Sequence, residues 1–198
     1  MSKRLNIVLP DATVRVLDRV TTNGSRIKAV VALAPAGNSK PRPGILKASL
    51  SFDWGRNVPT LYLAAASDIL IPLDGIYELM ERTRASKRLF VLRRSGHAHF
   101  LDNVEQEHER IRTMPAGGGD WVYMQKEIQP IEELCSGEEA HLFARGLTVA
   151  HFDAVLKGIG GSIVFWDQDI PGELKLRSVD AFESVGAVYD RAQSFNRD

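Results

Sequence analysis

Asp68 and His97 raise the chemical question. Asp68 follows the apolar run Leu61-Tyr62-Leu63-Ala64-Ala65-Ala66, and His97 follows Arg88-Leu89-Phe90-Val91-Leu92-Arg93, inside Ser95-Gly96-His97-Ala98-His99-Phe100. In open α/β sheets, ligands and catalytic groups gather at the carboxyl ends of the strands. A carboxylate after one strand and an imidazole after the next are the orienting and basic parts of a hydrolytic triad. The carboxylate selects the imidazole tautomer and stabilises imidazolium, while the imidazole takes a proton from a nucleophile. The plainer account of the same pair is a loop acid and a partly exposed histidine. His99 is a second candidate for the base, because it lies two residues away on the same loop. His97, His99 and Asp102 offer a metal alternative, but the pattern supplies no further strong ligand, so neither metal nor cofactor is expected.

The elements that must hold these residues are legible in the hydropathy pattern. Lys28 to Ala34, Leu61 to Ala66 and Arg88 to Arg93 are unbroken apolar runs without alternation. Strands buried on both faces of a parallel sheet read this way. Ile76, Leu79 and Met80 recur at helical spacing between the second and third runs, so strand, helix and parallel strand follow in order, with a right-handed crossover expected. The stretch from Glu105 to about Lys157 reads as helical. Within it Ser136-Gly137-Glu138-Glu139 is a capping box, followed by a stripe of Ala140, Phe143, Ala144, Leu147, Ala150, Ala154 and Val155 that Gly158 ends. His141 and His151 on that helix read as surface or packing residues. Gly117-Gly118-Gly119 lacks the Lys-Ser/Thr of a phosphate loop and reads as linker. The basic cluster around Arg82, Arg84, Lys87, Arg88, Arg93 and Arg94 reads as a solvated helix end and strand flank.

Composition bounds the possibilities. The chain has 198 residues, enough for one domain with a real core, and its 25 Lys+Arg balance 25 Asp+Glu. Zero net charge argues against a chain that coats nucleic acid or an anionic membrane along its whole surface. The single cysteine, Cys135, excludes an internal disulfide and Cys-based metal clusters. No apolar run approaches the roughly 20 residues that cross a bilayer, and the N-terminus turns polar too soon for a secretory signal. A cytoplasmic protein is expected.

Residues 27 to about 165 resemble the C-terminal half of the α/β-hydrolase family, in its dienelactone-hydrolase-like and esterase-like branches. The matching words are IKAVVALAPAG, VPTLYLAAASDILIPLDGIYELM, KRLFVLRRSGHAHFLDN and IEELCSGEEAHLFARGLTVAHFDAVLKG. The resemblance implies that Asp68 is the triad acid and His97 the base. A complete member carries a Gly-x-Ser-x-Gly turn before the first of these strands, with the serine nucleophile and one oxyanion donor. That motif is absent here. Gly24-Ser25 and Gly161-Ser162 fall in the wrong places, Ser67 sits on no strand-to-helix elbow, and Cys135 has no base near it in the pattern.

Residues 1 to 26 differ in character, with five basic residues against two acidic ones. Lys3 to Leu9 alternates as a strand with Leu5, Ile7 and Leu9 on one face. Pro10 closes it, and Asp11 can cap a short helix carrying Val14 and Leu17, which Asn23-Gly24 stops. KRLNIVLPDATVRVLDRV followed by NGSR resembles the opening of a ribbon-helix-helix protein of the antitoxin type. The resemblance implies that Arg4, Asn6 and Val8 would face DNA bases, but the second helix of that family is missing.

The expectation is an α/β protein with a partial α/β-hydrolase fold, a short mainly parallel sheet of about three strands flanked by helices, preceded by a short strand-helix segment. Residues 1–26 form that segment, 27–165 the hydrolase half and 166–198 a weakly defined tail. The function expected is that of a carboxylic-ester hydrolase family member with acid and base but no nucleophile, inactive alone. The alternatives are a DNA-binding regulator acting through residues 1–26 and a half-hydrolase completed by a missing N-terminal half. The implied partners are a small ester substrate, a second copy or that missing half, and DNA only if residues 1–26 function as a ribbon; no membrane partner is expected.

Overall fold

The computed structural model describes residues 27–35, 57–83, 85–115, 118–158 and 182–185. The segment 1–26, with Arg4, Asn6 and Val8, lies outside the described residues, as do Ile163 to Trp166 and most of the tail.

Three parallel strands form the centre: β1 (Val30–Leu33), β2 (Thr60–Ala65) and β3 (Lys87–Leu92). They pair in chain order, with Val30 beside Thr60 and Thr60 beside Lys87. A fourth strand, β4 (Phe182–Val185), runs antiparallel on the far side of β3 and sets Leu89 beside Val185. The tail was expected to be weakly defined, so this strand is an addition; four residues are too short for periodicity to announce them.

The pleat sends alternate side chains to opposite faces, and both faces of the central strands are covered. Leu61, Leu63, Phe90 and Leu92 pack against Cys135, Ala140, Phe143 and Leu147. Tyr62, Ala64, Leu89 and Val91 pack on the other side against Ile76, Leu79 and Met80. Helix α1 (Leu73–Arg82) supplies the second layer, as its spacing predicts. Each of the fully buried leucines contributes about 1.5–3 kcal/mol to folding. All six β2 residues are buried. β1, by contrast, is not buried on both faces as its unbroken apolar run suggests. It is half-buried and Leu33 is 46% exposed. The covering helices centre on β2 and β3, and among the described strands β1 pairs on one side only.

The region expected to be helical from Glu105 to Lys157 is broken into α2 (Val104–Thr113), α3 (Trp121–Gln125), a 3-10 turn (Ile131–Glu133) and α4 (Gly137–Phe152). Gly118 and Gly119 take φ of 100° and 67°, which no helix tolerates, and Pro130 cannot donate to a continuing helix. α4 starts where the capping residues place it. Ser136 Oγ accepts the Glu139 N–H at 3.2 Å, a bond that contributes about 1 kcal/mol. A π-helical turn (Asp153–Lys157) extends α4 and stops at Gly158, whose φ is 63°. Among the described residues, no helix is long and apolar enough to cross a membrane.

Candidate active site

The register decides the site. Ala65 lies beside Leu92, so β2 and β3 end level with each other. The chains leaving them stay tied, because the Ala66 N–H donates to the Leu92 carbonyl at 2.8 Å and the Ser67 N–H to the Ser95 carbonyl at 2.9 Å. Asp68 and His97 therefore emerge side by side at the carboxyl ends of adjacent parallel strands.

Asp68 is fixed before it meets the histidine. Its Oδ1 accepts the N–H groups of Leu70 and Ile71, both at 2.9 Å, in the tight turn that precedes α1. Its other oxygen, Oδ2, lies 2.8 Å from Nδ1 of His97. The carboxyl side chain is only 1% exposed while the imidazole is 33% exposed. The ion-pairing carboxylate is thus shielded while the imidazole is partly open to solvent. With Asp68 ionised, Nδ1 carries the hydrogen and Nε2 presents its lone pair. The hydrogen bond and charge of Asp68 raise the His97 pKa, against burial that lowers it. Such an imidazole accepts a proton at Nε2 and keeps its orientation while doing so.

His99 is not a second base. It is wholly buried, its Nδ1 accepts the Gly96 N–H at 3.0 Å, and its Nε2 donates to the Cys135 carbonyl at 3.0 Å. The 3-10 turn His97–Phe100 explains the division. At about three residues per turn, positions two apart project in divergent directions, so His97 faces outward and His99 inward. For the same reason His97, His99 and Asp102 do not converge on a metal. Among the described residues, no group of three His, Cys, Asp or Glu side chains could hold one.

Of the other nucleophile candidates, Ser25 and Ser162 lie outside the described residues. Cys135 is buried, and burial pushes its thiol up to about 11, so the thiolate is scarce near neutrality. Among the described residues, no hydroxyl or thiol hydrogen-bonds His97; Asp68 is the ring's hydrogen-bond partner. His141 donates from Nε2 to the Leu101 carbonyl at 2.9 Å, at the surface. His151 is buried, and that burial lowers its pKa against opposing backbone groups at Pro59 and Val30. Sequence reasoning missed His108, which is buried, donates from Nε2 to the Gln129 carbonyl at 2.8 Å and meets His99 edge-on with 5.9 Å between ring centres. Val104 and Ile111 flank it on the same face at i, i+4, i+7 spacing, and that spacing is the signal that marks 108 as an inward position.

No family model matches the chain, and no curated protein or solved structure matches it.

Proposed function

We propose that this chain supplies the acid and base of an α/β-hydrolase-type carboxylic-ester hydrolase and is inactive by itself. The observation that carries the reading is the 2.8 Å contact between Asp68 Oδ2 and His97 Nδ1 at the ends of neighbouring parallel strands. In this role Nε2 of His97 removes the proton from an attacking hydroxyl and returns it to the departing alkoxide. Asp68 stays ionised and stabilises the imidazolium between the two transfers. The 198 residues carry no Gly-x-Ser-x-Gly turn, so the serine and the oxyanion donor that this motif brings are not supplied by it here.

The experiment is ester hydrolysis by the purified chain on a short-chain chromogenic ester, with a serine-reactive phosphonate as label. No turnover and no labelling are expected. Turnover that disappears in His97→Ala and in Asp68→Asn would overturn the inactivity, and the labelled peptide would name the nucleophile. The pair itself is tested separately by NMR titration of His97 in Asp68→Asn. A His97 pKa unchanged by that substitution would sink the acid–base reading.

A further inference from the structure

We propose that His99 is a positioning residue for His97: a buried neutral imidazole whose two ring nitrogens fix the turn from which His97 reaches Asp68. The proposal rests on the acid–base reading above. His99 Nδ1 accepts from the N–H of Gly96, the residue immediately before His97. The His99 backbone N–H in turn donates to the Gly96 carbonyl at 3.1 Å. Both peptide groups that flank Gly96, the residue before His97, are therefore bound to His99.

The far nitrogen ties this turn to a different layer of the fold. His99 Nε2–H donates to the Cys135 carbonyl, and the Cys135 N–H donates back to the Arg94 carbonyl at 2.6 Å. The chain before His97 and the chain after it thus close onto the same residue ahead of α4. Asp68 is referenced to the same loop, through the Ser67 N–H on the Ser95 carbonyl.

An imidazole suits this place for a specific reason. The site needs an acceptor on one side and a donor on the other, both buried, and a neutral ring presents them together. Burial holds the His99 pKa down, which keeps the ring neutral and Nδ1 able to accept. The titratable groups facing it are His108, edge-on across 5.9 Å, and Glu105, which acts on it from α2. Protonated His99 would turn Nδ1 into a donor and set it against the Gly96 N–H.

The test is an NMR titration of the imidazoles in the full chain, with amide exchange at Gly96, and it needs no turnover. In the wild type His97 is expected as the Nδ1–H tautomer with a pKa above the ordinary 6.5. In His99→Phe, which fills the space but offers neither bond, the His97 pKa should shift toward 6.5 and the Gly96 amide should exchange roughly tenfold faster. His99→Asn keeps an acceptor near the former Nδ1 and His99→Gln keeps a donor toward Cys135, so each retains one of the two bonds and should shift the His97 titration less than His99→Phe.

Wild-type titration of His97 in folded His99→Phe would overturn the proposal. Should His99→Phe fail to fold, wild-type titration of His97 in both His99→Asn and His99→Gln would overturn it. Asp68→Asn separates the two ideas. If Asp68→Asn lowers the His97 pKa and His99→Phe does not, only the positioning role of His99 fails. If Asp68→Asn has no effect, the acid–base pair fails as well.

Discussion

Asp68 holds Nδ1 of His97 at 2.8 Å although 29 residues separate them, because the parallel register sets Ala65 level with Leu92. The pair makes stability depend on pH with a definite sign. Pairing raises the His97 pKa above its unfolded value near 6.5. The contribution of the imidazolium is therefore complete below about 6.5 and is lost as pH rises through the folded value. The stability difference between wild type and His97→Gln, from urea unfolding, should shrink as pH rises from about 6.5 through the folded value. A difference that stays constant over that range would contradict the pairing.

Gly137 opens α4 directly against Val104. A Cβ at position 137 would lie 2.6 Å from the Val104 Cβ and 2.7 Å from its Cγ2, and Gly137 also donates its N–H to Glu105 Oε1 at 2.8 Å. Neither the β-carbon of a helical valine nor the helix start can move far. Gly137→Ala should destabilise by about 1–3 kcal/mol, the usual cost of overpacking, despite the better helix propensity of alanine. Gly146, with open space around it, is the control, and its alanine variant should be neutral or stabilising. Equal urea midpoints for the two variants would refute the steric argument.

Tyr62 and Thr83 predict an asymmetry. The Tyr62 hydroxyl meets Thr83 Oγ1 at 2.5 Å, and that same oxygen donates to the Leu79 carbonyl at 2.8 Å. The tyrosine is therefore the donor of the pair. Thr83→Val leaves a buried phenol without its acceptor and should cost about 1–3 kcal/mol, whereas Tyr62→Phe removes the donor and leaves the threonine bonded to Leu79. Thr83→Val should be the more destabilising of the two in thermal or urea unfolding. The reverse order would mean that the phenol finds another acceptor.

Cys135 should be chemically quiet in the folded chain. Burial, reinforced by Glu139, pushes its thiol up to about 11. Ellman's reagent at pH 8 should react slowly with native protein and promptly, at one thiol per chain, in denaturing urea. Rapid stoichiometric reaction of the native form would show that the loop before α4 opens.

The amino-acid sequence by itself determined the local parts. Unbroken apolar runs specify β2 and β3, helical spacing of Ile76, Leu79 and Met80 specifies α1, and Ser136 with Gly158 bounds α4 and its π turn. Asp68 and His97 were legible as strand-end residues because a strand's end is a local event. Tertiary structure decided which histidine is which. His97, His99 and His108 are chemically identical; the 3-10 turn faces the first outward and the second inward, and the packed face of α2 buries the third. The strand edge behaves likewise: β1 has the hydropathy of a central strand, but its burial depends on what lies beside it. The tether from His99 to Cys135 runs through a backbone carbonyl, which every residue carries, so no side-chain pattern could announce it. Periodicity reports the faces of an element; what those faces meet is set by register and packing between segments far apart in the chain.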